Sequence, residues 1–168
     1  MIEQLSKIES KYGNYAILGD NDNFDIETIK NIYIQSNFNL LENSYDIIYN
    51  EKNDKILIAD SINETTQYID DNSIYKIIVT HEPDNTDNLI NTNKNINLIL
   101  GGHSLNGSIN IPYFKKLFLP TNAKKYYEPH YKINNTNIYI SNGLGVDKIN
   151  FRLFNHPSIN FYRIKNSN

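Results

Sequence analysis

Three short loops carry residues whose types suit metal-ion chemistry. In "YAILGDND", Asp20 and Asp22 follow directly on an apolar, strand-like run. In "IIVTHEP", His81 follows a second such run, and in "NLILGGHS", His103 follows a third. Carboxylate oxygens and imidazole nitrogens together suit a divalent transition metal such as Mn, Fe or Zn. Gly19 precedes Asp20, and Gly101 and Gly102 precede His103. Glycine lets the backbone turn sharply and come close to a ligand. Leu105, two residues after His103, is an apolar residue in a loop that otherwise reads as a ligand loop.

These side chains meet only if three strands lie side by side and end at one edge. In open α/β sheets ligands bind beyond the carboxyl ends of the strands. The pattern predicts strands over 14–19, 75–80 and 96–102, each ending just before its candidate residue. Further strands are expected over 38–43, 45–50 and 56–60, and in the tail over 131–134, 137–141, 151–154 and 159–164. Helices are expected over 2–13, 25–37, 64–71 and 87–93, the second capped by Asp25 with Ile26, Ile29, Ile32 and Tyr33 on one face. Alternating α and β followed mostly by β predicts a layered α/β domain with mixed sheets.

The chain has 168 residues, enough for one domain with one sizeable core. Hydrophobic residues make up 39% and charged residues 21%, a globular balance. Asn, Ile, Lys and Tyr are abundant, but the Asn residues alternate with apolar ones, which favours a folded chain over a polar tract. The net charge of −3 includes no basic block, so no nucleic-acid groove is expected; Lys124 and Lys125 read as a solvated loop. No cysteine is present, which excludes disulfides and thiolate sites. No run is long enough for a membrane span and the first ten residues lack a signal-peptide core, so a cytoplasmic location is expected. His130 and His156 lack the strand-end setting and read as structural or surface loop residues.

The motifs resemble those of the calcineurin-like metallophosphoesterase family, in its small bacterial phosphodiesterase-like branch. "LGDND" at Leu18–Asp22 is similar to the family's Gly-Asn-His-Asp strand end. "VTHEPD" at Val79–Asp84 resembles its lone-His strand end, and "GGHSLNG" at Gly101–Gly107 its Gly-His-x-His strand end. The tail from Tyr139 to Ile164 resembles the branch's closing segment, with its Ser-x-Gly-x-Gly strand end. The resemblance implies two mixed sheets packed as a sandwich and flanked by helices, around a two-metal site that hydrolyses phosphoesters.

Carried over by position, the resemblance makes Asp20, His81 and His103 ligands of one metal, about one ion per chain. Asn21 stands where the family has a catalytic His, with Asp22 as that residue's acidic partner. Leu105 stands where a ligand of the other metal is expected. The family's Asp-x-His and Gly-Asp-x-x-Asp strand ends have no counterpart before Gly19. The expectation is one metallophosphoesterase-like domain over 1–168 that lacks the family's first strands. Three functions fit it: a metal-dependent hydrolase acting on a small phosphoester, a non-catalytic binding or assembly module, and one half of a split enzyme completed by an upstream partner fragment. Arg152 reads equally as a structural group and is left outside the site.

Overall fold

A computed structural model describes residues 1–61, 70–92, 95–105, 115–145 and 151–165. Among these residues three α-helices are formed, α1 (Ile2–Leu5), α2 (Ile26–Gln35) and α3 (Thr86–Thr92). Eight strands accompany them: β1 (Asn14–Ile17), β2 (Phe38–Leu41), β3 (Tyr45–Tyr49), β4 (Lys55–Ala59), β5 (Tyr75–Thr80), β6 (Leu98–Gly101), β7 (His130–Ile133) and β8 (Thr136–Ile140). Six of them form one mixed sheet in the order β3-β4-β5-β6-β8-β7. Its four central strands are parallel, and β3 and β7 pair antiparallel at its edges. β1 and β2 form a separate parallel pair.

The mixed α/β class and the strand-end plan agree with the sequence expectation. Central parallel strands have both faces at least partly covered and read as nearly continuous apolar runs, as "YKIIVT" and "LILG" do. On one face Leu57, Ala59, Ile78, Ile99, Ile138 and Ile140 form the core, closed by Leu89 of α3 and by Tyr126. On the other face Ile77, Val79, Leu100 and Tyr139 are only half-buried. Lys76 points into the core face, and its Nζ donates to the Asp71 carbonyl at 2.6 Å.

α2 packs its apolar side on β2, with the Tyr33 and Phe38 rings 6.0 Å apart. It ends where Asn37 adopts a left-handed conformation (φ 62°), a helix stop that Asn tolerates well. The β3–β4 turn is tied by Asn50 Oδ1, which accepts the Lys52 and Asp54 amides, each at 2.8 Å. The expected hairpin at Asn134–Thr136 joins β7 to β8.

Four details differ from the sequence expectation. The first helix stops at Leu5 rather than running on to residue 13. Ile2, Ile8 and Tyr12 remain exposed there, and a short helix without a packed face gains too little to persist. Asp25 stands at the N-cap of α2, as expected, but its side chain makes no capping bond. Residues 20–25 form a 3₁₀ turn rather than an open loop. The tail strands expected over 151–154 and 159–164 are not formed. That stretch instead lies against the β8 end: Tyr162 packs on Tyr139 at 4.7 Å, and the Ser158 amide donates to the Gly143 carbonyl at 3.1 Å. The helix expected over 64–71 falls mostly outside the described residues.

Ile99 is fully buried at the centre of the sheet. Ile99→Ala is expected to cost about 2–5 kcal/mol of unfolding free energy. Ile159→Ala, at a largely exposed position, is expected to change it by less than about 0.5 kcal/mol. Urea denaturation of the two variants beside the parent checks both values.

Candidate metal centre

Strand register brings the two histidines together. Thr80 of β5 pairs with Gly101 of β6, so His81 and His103 leave the same sheet edge within two residues of that pair. Their ring centroids are 4.6 Å apart and the rings are tilted by 56°. Asp20 arrives from the end of β1. Its Oδ1 accepts His81 Nε2–H at 2.8 Å and lies 3.8 Å from His103 Nδ1.

One donor atom from each of Asp20, His81 and His103 lies within 4.8 Å of the other two. The edge of a tetrahedron with bonds of about 2.0–2.1 Å is roughly 3.3 Å. The 2.8 and 3.8 Å separations straddle that value, so the donors fit a single divalent ion after small adjustment. The two histidines are partly buried, while half of the Asp20 side chain faces solvent.

Local contacts explain how the loops hold this arrangement. The Gly19 N–H donates to Asp22 Oδ2 at 2.8 Å and the Asp22 N–H returns to the Gly19 carbonyl at 3.1 Å. Asp22 thus closes the turn that presents Asp20. A Cβ on Gly19 would stand 2.8 Å from His81 Cε1, so the ring rests on the glycine itself. His103 Nε2–H donates to the Thr121 carbonyl at 2.9 Å, which leaves Nδ1 facing Asp20. Burial pushes the Asp20 carboxyl up, but the His81 bond and the charges of His81 and His103 outweigh it and hold it below its ordinary value.

The other sequence candidates are placed as follows. Asn21 is exposed, and its N–H donates to Asp20 Oδ1 at 3.0 Å. Leu105 adopts a left-handed conformation (φ 48°), and its side chain packs where a Cβ on Gly143 would stand, 2.8 Å away. Its carbonyl accepts Asn155 Nδ2 at 2.5 Å. Arg152 binds the carbonyls of Asn142, Gly143 and Gly145 and so organises the neighbouring loop. His130 lies on β7 rather than in a loop, stacked on Tyr139 at 4.5 Å. His156 is exposed, and its carbonyl accepts Asn142 Nδ2. Lys125 is paired with Asp87 rather than simply solvated.

A cavity of about 460 Å³ opens beside His81, lined mainly by apolar side chains that include Ile17, Val79, Leu100, Tyr139 and Leu144. The Thr121 carbonyl and the contact at Gly19 are the site features that motif reading missed. A backbone carbonyl has no sequence signature. The glycine before Asp20 was legible, although its ring contact was not.

The donor set, placed at the carboxyl edge of a parallel sheet, is a group that could hold a divalent metal. The chain is 27% identical over 180 aligned positions to the uncharacterized metallophosphoesterase YkuE of Bacillus subtilis (strain 168), covering 100% of this chain and 62% of that protein. It is 25% identical over 178 positions to the uncharacterized metallophosphoesterase YkoQ of the same organism, covering 97% of this chain and 64% of that protein. Both similarities support a metallophosphoesterase family. The chain spans a little over three fifths of the length of these relatives. No family model matches the chain, and no solved structure matches it. Among the described residues no helix is long and apolar enough to cross a membrane.

Ligation needs a carboxylate and neutral imidazoles, so metal binding releases protons. Asp20 is already ionised near neutrality because its shift is downward. Its favourable pairing is present above the ordinary carboxylate value of about 3.9 and is lost as pH falls through the lowered one. Because ligation releases protons, affinity for Zn is expected to be weaker at about pH 6 than at about pH 8. Isothermal titration at the two values checks this. Gly19→Ala is expected to weaken Zn binding at both values, because the added methyl displaces the His81 ring. Circular dichroism should show the variant folded.

Proposed function

We propose that this protein is a metal-dependent phosphoester hydrolase of the calcineurin-like kind. The observation that carries the proposal is the convergence of Asp20, His81 and His103 within 4.8 Å at the carboxyl edge of the sheet. The printed names of the two Bacillus relatives support it. Asp20, His81 and His103 would hold one divalent ion, Mn, Fe or Zn. When bound, such an ion polarises the phosphoryl oxygens and lowers the pKa of its water.

The chain's own residues do the rest. Asp20 supplies a negative oxygen that is ionised at neutral pH. His81, now hydrogen-bonded to Asp20, would hold the ion beside it. Asn21 sits beside Asp20 and can hydrogen-bond a phosphate oxygen, but its amide cannot protonate a leaving group. Asp22 holds the turn. The apolar cavity beside His81 leaves room for the organic group of a small phosphodiester or phosphomonoester.

Missing general-acid catalysis typically forfeits 10²–10⁴-fold in rate. The loss is smallest where the leaving group departs without a proton. In this view the substrate is a small phosphoester, and the setting is cytoplasmic. Leu105, apolar and packed on Gly143, also favours a second reading: a phosphoesterase-like module that binds metal or a partner without turnover.

Purified protein supplied with Mn or Zn is expected to hold about one ion per chain by elemental analysis, and His81→Ala/His103→Ala to hold none. Negligible metal in the parent protein would sink the metal reading. Bis-para-nitrophenyl phosphate, with its activated leaving group, is expected to be hydrolysed with Mn and not by the double variant. Alkyl phosphodiesters are expected to react far more slowly. Bound metal without any turnover would favour the module.

A further inference from the structure

The loop that delivers His81 also fastens the loop that orients His103. His103 follows two glycines and has a left-handed backbone (φ 57°), and its ring is fixed from outside its own loop. Nε2–H donates to the carbonyl of Thr121, 18 residues away in sequence, at 2.9 Å. A carbonyl oxygen only accepts, so the bond requires a proton on Nε2 and, in the neutral ring, leaves the Nδ1 lone pair facing Asp20.

Thr121 itself is exposed, and its position depends on the residues that follow it. Asp84 holds those residues. Its carboxylate accepts three successive amides, Lys124 N–H at 2.8 Å and those of Lys125 and Tyr126 at 3.0 Å each. Its own N–H donates to the Asn122 carbonyl at 3.0 Å. Glu82 adds a second tie, accepting Asn122 Nδ2 at 2.8 Å. Beyond the clamp, Tyr126 is buried, with its hydroxyl on Asp87 at 2.7 Å. The segment is therefore anchored at residues 122–126, directly after Thr121.

We propose that Asp84 is a positioning residue. By pinning residues 122–126 it keeps the Thr121 carbonyl on His103, and so selects the ring nitrogen that faces Asp20 and His81. Its functional meaning rests on the metal-centre proposal; the ring selection does not. Partners that fix the tautomer of a ligating histidine typically change metal affinity by about 10–100-fold when removed. Asp84 touches neither the donor atoms nor the space between them, and acts entirely through the backbone it holds.

The test is nitrogen-resolved imidazole NMR on the full chain without metal, at a pH about two units above the ordinary histidine value near 6.5, where neutral rings report their tautomer. His103 is expected as a single tautomer protonated at Nε2. In Asp84→Ala its two nitrogens are expected to move toward averaged values while the other histidine signals stay in place. Zn affinity is expected to fall about 10–100-fold. Asp84→Asn keeps an acceptor oxygen and is expected to recover part of both effects, which serves if the alanine variant does not fold. Protonation of His103 at Nδ1 in the parent protein overturns the proposal, and so does an unchanged tautomer in a folded Asp84→Ala. If the parent binds no Zn while the tautomer still depends on Asp84, the metal-centre proposal fails and the positioning role stands.

Discussion

The structure depends most on the parallel pairing of β5 with β6. Their register sets Thr80 opposite Gly101, and both candidate histidines lie within two residues of that pair. A slip of one residue would send alternate side chains to the opposite face. It would move Ile78 and Ile99 out of the core and part His81 from His103. The same apolar contacts therefore stabilise the sheet and hold the two imidazole rings 4.6 Å apart. Packing and site geometry are one constraint here, which is why the strands read as unbroken apolar runs up to the residue before the chemistry starts.

Around that edge, polar groups divide between holding loops and remaining available. Asp60, just past the end of β4, accepts the amides of Asn43 and Ser44 at 2.8 Å each and so closes the preceding turn. Asp22 closes the turn at Gly19, and Asp84 gathers three amides beyond Thr121. Of these strand-end acids, Asp20 alone directs its carboxylate to the histidines. The difference lies in backbone geometry: the three others meet N–H groups that demand an acceptor, whereas Asp20 has one short amide contact and an exposed flank. Composition cannot make this distinction, because all four residues are aspartates just past strands or in strand-end loops.

The central strands and the three donors were legible because they rest on short-range patterns: apolar runs, glycines and strand-end polar residues. What was not legible depends on long-range partners. The stretch from Ile2 to Tyr12 has helical spacing, but its apolar side has too little to pack on, and only four residues hold the helix. The tail motifs at 151–154 and 159–164 have strand composition, yet they join neither sheet in the described structure. A strand forms only where a neighbour offers an open ladder, and sequence does not reveal which edges stay open. Thr121 was invisible for another reason, since it contributes a carbonyl that any residue would supply.

Leu105 joins these two kinds of evidence. The family resemblance sets it opposite a ligand position, while by contact it is a packing residue, seated where Gly143 has no side chain. Gly143 also has positive φ (63°), so a side chain there would be strained as well as crowded. Arg152 then binds the carbonyls on both sides of this glycine. Asn155 binds the Leu105 carbonyl. The loop around His103 is therefore braced by an apolar contact and by hydrogen bonds to its backbone carbonyls. A polar ligand at 105 would have to leave this contact to reach an ion, and the brace would lose its apolar half. The arrangement keeps the loop ordered with a single group of three donors.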